Sequence, residues 1–388
     1  MAVIQIALLL FSIPSTVRAQ GFQTVAPYAF LIDTDTNSVL FEKKADELMD
    51  PASTTKMMTA EVVFEEIAEG RLKLTDEFTI SERAWREGGA RSGGSTMFAK
   101  LNSRVAISDL LQGLLVQSGN DAAIALAEGI SGSEEAFATL MNKRAAKLGL
   151  THLHFVNAWG APDPQHKVTA REMALLAEHI IRTFPDLYKY FGEREFTWNK
   201  IRQPNRNPLL AMNIGADGVK TGDTKVSGYG LVGSAVQNGQ RLIVVVNGLK
   251  TARERAEEAR KLLEWGFRSF QQKLLFNADM VIGTADVFGG TSGSVGLVAA
   301  GPVKLLVARG NDDHLSAKVS YTGPIVAPIT KGAQIADLLV TDGDKMLAKI
   351  PLMAAQDVGK GTLQQRALDA LYEFSAQMMQ KYVLKQLH

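Results

Sequence analysis

Two long runs of strand-forming residues meet at Asn238-Gly239 in the stretch GYGLVGSAVQNGQRLIVVVNGL, Gly228 to Leu249. An Asn-Gly pair tolerates the positive φ that a tight hairpin needs at both central positions, so this segment must supply two neighbouring antiparallel strands. A second hairpin is read in YAFLIDTDTNSVLFEKKAD, Tyr28 to Asp46, around Asp35-Thr-Asn37. Helical periodicity covers Ser53 to about Glu69, with Gly70 as its stop, then Ser108 to Glu128, Glu134 to Leu148, Ala170 to Thr183 and Ala252 to Phe270. Strands that pair as hairpins, with amphipathic helices between them, predict an α+β domain: an antiparallel sheet packed with helices. The pattern changes near Gln272. From Met280 to Gly361 short apolar runs such as VKLLVARG and KVSYTGPIVAPI are punctuated by Gly, Pro, Asn and Asp, which predicts a small all-β domain, a sandwich or barrel.

The two ends read differently. MAVIQIALLLFSIPSTVRAQ has an apolar core from Ile4 to Ile13, a Pro14 breaker, and Ala19 preceded two positions earlier by Val17, the pattern of a secretory signal cleaved after Ala19, although no Lys or Arg precedes the apolar core. After Gly359-Lys-Gly361, the apolar residues Leu363, Ala367, Leu368, Leu371, Met378, Met379, Tyr382, Val383 and Leu387 recur near the helical period, with Arg366, Asp369, Glu373, Lys381 and Lys385 off that stripe. The last helix of an exported chain, placed after a glycine linker and carrying two lysines for anionic headgroups, is expected to lie on a membrane surface. The expected division is a signal peptide at 1–19, a main domain at 20–272, the β-rich domain at 273–361 and an amphipathic anchor helix at 362–388.

Composition narrows the chemistry. With 42 basic against 41 acidic residues the net charge is +1, which gives nucleic acid no electrostatic footprint. The absence of cysteine excludes disulfides, thiol nucleophiles and cysteine-ligated metals. A hydroxyl nucleophile then needs a base, and PASTTKMMTA, Pro51 to Ala60, places Ser53 and Lys56 one helical turn apart at the edge of an apolar run, Met57, Met58, Val62, Val63, Phe64 and Ile67. A lysine deprotonates a serine only if desolvation or a second cation pulls its pKa toward neutrality, and burial of this helix supplies the first. The bland alternative is a serine that merely caps a helix.

Two further strings bear on that choice. Ser118-Gly-Asn120 is the one Ser-x-Asn of the chain and interrupts LLQGLLVQSGNDAAIALAE, where polar residues are costly unless used; otherwise it reads as a turn between two helices. Lys220-Thr221-Gly222 lies just before the first strand of the Asn238-Gly239 hairpin and offers a cation, a hydroxyl and a glycine that admits a substrate backbone; otherwise it is a solvated loop.

Ser-x-x-Lys, Ser-x-Asn and Lys-Thr-Gly in this order form the active-site set of penicillin-binding proteins and serine β-lactamases. The chain most closely resembles the low-molecular-mass penicillin-binding proteins that are D-alanyl-D-alanine carboxypeptidases. PASTTKMMTA, SGGSTMF (Ser92 to Phe98), SGNDAAIALAE and DGVKTGDT (Asp217 to Thr224) carry the likeness. The resemblance implies an acyl-enzyme on Ser53 with Lys56 as base and no metal or cofactor. It implies Ser118 as a proton relay, Asn120 as a hydrogen-bond partner of substrate and Lys56, and Lys220 as keeper of the network's charge. Thr221, with Lys220, would hold the substrate's terminal carboxylate, aided by Arg255, whose bland alternative is an exposed helix charge. Gly222 belongs to the same substrate-binding stretch, and the backbone N–H groups of Ser53 and Asp223 would form the oxyanion hole. Asp223 departs from a family in which neutral or basic residues are usual there, and it sets a carboxylate beside the expected substrate carboxylate.

The implied partners are peptidoglycan pentapeptide, β-lactams and the membrane surface, and the implied location is the periplasm, attached peripherally to the inner membrane. A D,D-endopeptidase acting on cross-linked peptidoglycan and a non-catalytic envelope scaffold are the competing functions. A class A β-lactamase is disfavoured because FAKLN has Phe98 where the deacylating glutamate belongs. GYGLVG satisfies a dinucleotide-binding pattern without the helix that receives the pyrophosphate. His152 and His154 are expected to be structural, and no Gly-x-Ser-x-Gly elbow occurs.

Overall fold

The computed structural model describes residues 21–309, 315–343 and 345–371, and divides into two compact units, one running to Phe270 and the other beginning at Gln271. The expected signal segment and the end of the expected anchor helix lie outside the described residues.

The first unit opens with β1 (Tyr28–Asp33) and β2 (Ser38–Lys43), followed by a 3-10 turn over Ala52–Thr55 and α1 (Lys56–Ala68). The short pair β3 (Glu77–Thr79) and β4 (Arg104–Ala106) leads to α2 (Ile107–Leu115), α3 (Asn120–Ser131) and α4 (Glu134–Lys147). Then come α5 (Ala170–Thr183), α6 (Pro185–Gly192) and a hairpin of β5 (Glu195–Trp198) and β6 (Ile201–Pro204). The unit closes with β7 (Ala216–Thr224), β8 (Gly228–Gln237), β9 (Gln240–Leu249) and α7 (Ala252–Ser269).

Five strands form one antiparallel sheet in the order β2-β1-β9-β8-β7. Its centre is the hairpin the sequence demanded: Asn238 and Gly239 both take positive φ, 51° and 78°, and Gln237 pairs with Gln240. Strand alternation sends Phe30, Ile32, Ile243 and Val245 into a core shared with α1, α2, α3 and α5. On the other face α7 comes close enough that a Cβ on Gly266 would lie 2.7 Å from a Leu242 methyl and 2.9 Å from one of Leu31.

Three expectations about local structure need correction. The helix assigned from Ser53 begins at Lys56; Ser53 sits in the 3-10 turn before it and makes no capping hydrogen bond. The helix assigned from Ser108 to Glu128 is two helices, α2 and α3, because Ser118 takes φ 64°, which no α-helix accommodates. Lys220-Thr221-Gly222 is part of a strand: β7 forms the sheet's edge, where only one side of its backbone is paired.

The second unit is all β among its described residues up to Ala354: β10 (Phe270–Phe276), β11 (Gly283–Phe288), β12 (Ser294–Ala299), β13 (Val303–Ala308), β14 (Leu315–Ser320), β15 (Ile325–Val326), β16 (Gln334–Asp342) and β17 (Lys345–Ala354). A six-stranded sheet, β14-β16-β17-β12-β11-β15, and the pair β10-β13 share one apolar core that includes Leu297, Leu305, Leu338 and Leu352. Residues 363–371 begin a helix on which Leu363, Leu368 and Leu371 are exposed. Among the described residues no helix is long and apolar enough to cross a membrane.

Candidate active site

The site is built where the turn before α1, the turn between α2 and α3, and the edge strand β7 converge. Ala52 holds φ 48° in the 3-10 turn, and Thr54 Oγ1 donates to the Pro51 carbonyl at 2.7 Å, which pins the turn. Strand β7 passes so close that a Cβ on Gly222 would lie 3.0 Å from the backbone nitrogens of Ser53 and Thr54 and 2.9 Å from the Pro51 carbonyl. Any side chain at 222 therefore pushes the strand off the turn that carries Ser53.

Lys56 is fully buried, and its Nζ has three partners: Ser53 Oγ at 3.0 Å, Asn120 Oδ1 at 2.8 Å and the Trp159 carbonyl at 2.7 Å. Two of these only accept; the third is a hydroxyl, which also donates. A neutral amine has two N–H groups and one lone pair, so it satisfies Asn120 and Trp159 as donor while its lone pair faces the Ser53 O–H. The electrostatics favour that form. Burial pulls the Lys56 pKa well below the usual amine range, the positive charges of Lys220 and Arg206 add to this, and Asp121 and Glu134 oppose it.

Lys220, also buried, donates from Nζ to Ser118 Oγ at 2.9 Å and to the Thr221 carbonyl at 3.0 Å. Burial first, then Arg206 and Arg255, lower its pKa to about 7, while Asp223 works in the opposite direction. Arg255, on α7, is 7% exposed, so its alternative reading as an exposed helix charge fails; its Nη1 stands 3.8 Å from Asp223 Oδ1. All nine residues singled out from the sequence, Ser53, Lys56, Ser118, Asn120, Lys220, Thr221, Gly222, Asp223 and Arg255, thus lie in or beside one connected assembly.

Sequence reading missed the groups that hold this assembly. The Trp159 carbonyl reaches Lys56 because Asn157 Oδ1 accepts from the backbone nitrogens of Trp159, Gly160 and Ala161, folding the chain into a tight turn. Asp121, buried beside Asn120, accepts from Thr96 Oγ1 at 2.7 Å and from the backbone nitrogens of Met97, Ala99 and Ala122, and the Asn120 nitrogen donates to the Ser95 carbonyl. This ties the SGGSTMF segment to the Ser118-Gly-Asn120 turn. A backbone carbonyl has no sequence signature; Asp121 had one, an acid following the motif in an apolar helix. His152 and His154 are accounted for structurally, His152 Nδ1 lying 2.7 Å from Glu172 Oε1 and His154 Nδ1 2.7 Å from the Gln165 carbonyl.

A serine–lysine pair backed by a second serine–lysine pair, at the edge of an antiparallel sheet, is an arrangement suited to a serine hydrolase. Comparisons place it more closely. A family model described as D-alanyl-D-alanine carboxypeptidase matches residues 15–251, and one described as penicillin-binding protein 5, C-terminal domain, matches residues 270–360. The chain is 42% identical over 354 residues to the D-alanyl-D-alanine carboxypeptidase DacC of Escherichia coli, covering 90% of this chain and 88% of that one. The crystal structure of penicillin-binding protein 5 from Haemophilus influenzae superposes with a TM-score of 0.83 at 38% identity, over 88% of this chain and 100% of that one. The ampicillin-bound form of penicillin-binding protein D2 from Listeria monocytogenes gives a TM-score of 0.58 at 29% identity, over 64% of this chain and 100% of that one. This chain belongs to the D-alanyl-D-alanine carboxypeptidase family and is a serine carboxypeptidase of that family.

Proposed function

We propose that this protein removes the terminal D-alanine of peptidoglycan pentapeptides through an acyl-enzyme on Ser53. The observation that carries the reading is the set of neutral partners around Lys56, which suits an uncharged amine facing a hydroxyl. Ser53 Oγ attacks the carbonyl of the penultimate D-alanine as Lys56 Nζ takes its proton. The backbone N–H groups of Ser53 and Asp223 hold the oxyanion, each worth ~3 kcal/mol in comparable sites. The C–N bond to the terminal D-alanine breaks as Ser118 relays the proton held on Lys56 to the leaving amine, which returns Lys56 to its uncharged form and Ser118 to its hydroxyl, with Lys220 positioning that hydroxyl. Asn120 steadies Lys56 and the substrate amide; Thr221, Lys220 and Arg255 receive the terminal carboxylate. Water then attacks the ester with Lys56 again as base, releasing the shortened peptide and restoring Ser53.

β-Lactams enter the same cycle by acylating Ser53, as the ampicillin-bound relative supports. Ester hydrolysis is slow for them because the glutamate of class A β-lactamases has no counterpart at Phe98. The enzyme works in the periplasm, exported by its N-terminal segment and held at the inner-membrane surface by the C-terminal helix. The exposed Leu363, Leu368 and Leu371 at 82%, 66% and 66% supply the start of an apolar face for that role. Binding of the full chain to anionic vesicles, with loss on truncation after Gly361, is the expected result; equal binding by both would remove the anchor.

Assaying D-alanine release from pentapeptide beside cleavage of a cross-linked muropeptide tests the main reading. Release from pentapeptide that disappears in Ser53→Ala is expected. Cleavage confined to the cross-linked substrate would make the protein an endopeptidase, and absence of both activities together with no fluorescent-penicillin labelling would leave a scaffold.

A further inference from the structure

Arg255 is built to receive an anion that its own chain does not fully provide. It is nine-tenths buried, its Nε and Nη1 are buried without a hydrogen-bond partner, and its guanidinium carbon lies 5.5 Å from the centre of the Tyr229 ring. The nearest carboxylate is that of Asp223, whose Oδ1 stands 3.8 Å from Nη1, within ion-pair range but beyond a hydrogen bond. Asp223 is held there by the sheet: it lies opposite Tyr229 in the β7–β8 register, directly after Lys220-Thr221-Gly222, with its side chain 53% exposed. An arginine with unmet donors thus has a carboxylate within ion-pair range that makes no hydrogen bond to it.

We propose that Asp223 is a specificity-determining residue that acts through Arg255, shifting the enzyme away from leaving groups with a free α-carboxylate and toward terminal residues presented as carboxamides or other uncharged ends. A substrate carboxylate that takes the free Arg255 donors comes close to the Asp223 charge and is repelled by it, whereas an uncharged carboxamide is not. The effect falls on capture, because the two carboxylates meet as soon as substrate binds. The inference rests on the carboxypeptidase reading above. The influence of both residues on Lys220, one lowering and one raising its pKa, places the pair in the field of the same site.

The test compares a diacyl-L-Lys-D-Ala-D-Ala tripeptide with its terminal carboxamide in the native enzyme, Asp223→Asn, Arg255→Ala and the double variant. The ratio of kcat/KM for acid over amide is expected to rise about tenfold in Asp223→Asn, mainly through KM, and by less than about twofold when Arg255 is already alanine. A ratio unmoved by Asp223→Asn, or one that rises equally with and without Arg255, overturns the assignment, since a merely structural role moves both substrates together. Fluorescent-penicillin labelling separates the two failures: a labelled, active native enzyme with an unmoved ratio sinks the Asp223 inference alone, whereas an unlabelled enzyme that cleaves neither peptide overturns the carboxypeptidase reading and this inference with it.

Discussion

The two units bury their side chains on different terms. The first takes Lys56, Glu61, Asp121, Glu134, Lys220 and Arg255 out of water, while among the described residues of the second no polar or charged side chain is buried. Removing an ion from water costs several kcal/mol, so charged burial on this scale is unlike an ordinary core. Helix α1 shows both outcomes. Glu61 keeps a charge partner, Arg144 Nε at 2.7 Å, whereas Lys56 meets neutral oxygens and is pushed toward its uncharged form. Burial beside an opposite charge keeps a group ionised; burial among neutral acceptors favours the uncharged amine. The second unit, with only apolar burial, folds without this chemistry.

The comparison can be broken most sharply at Ser53. Ser53→Ala is expected to lower D-alanine release by about 10⁴ or more, with an unchanged melting profile; residual release near the native rate would place the nucleophile elsewhere. Apolar burial is tested at Leu297, fully enclosed in the second unit. Leu297→Ala should destabilise that unit by about 2–5 kcal/mol in denaturant titration, yet leave penicillin acylation within about twofold; loss of acylation would show that the second unit supports the chemistry.

The pH profile gives a finer test. In the proposed cycle Lys220 acts as a cation, and its pKa is lowered to about 7, so kcat/KM should fall as pH rises through that value. Arg255 lowers this pKa and Asp223 raises it, so the falling limb should move up in Arg255→Ala and down in Asp223→Asn. A limb that stays in place in both variants would detach Lys220 from the profile. The smallest effect is expected at Thr96→Val, which removes one hydrogen bond to Asp121 and should cost about 1–2 kcal/mol of stability with a severalfold loss in kcat.

What the sequence revealed follows the same division. The Asn238-Gly239 hairpin, the buried run after Lys56 and the three short motifs were legible because each depends on side-chain type and local spacing. Periodicity carried the reading straight through Ser118, since apolar residues on both sides keep helical spacing while one residue at positive φ separates two helices. Lys220-Thr-Gly222 was legible as chemistry but not as an edge strand, because the Lys225-Val226-Ser227 turn that joins it to β8 carries none of the Asn-Gly signal that marks the β8–β9 hairpin. The Trp159 carbonyl that completes the Lys56 site was invisible, because any residue carries such an oxygen and only the Asn157 turn aims it.

The central claim is that Lys56 works as an uncharged amine, and the rate of Ser53 acylation by fluorescent penicillin in Lys56→Arg tests it most directly. Arginine puts a permanent cation near Ser53 and Asn120, one that cannot give up its proton at neutral pH. With the fold verified by melting, the account predicts acylation slowed at least about 10³-fold. Acylation by Lys56→Arg within a few-fold of the native rate would contradict it, for then a fixed charge would suffice at this position.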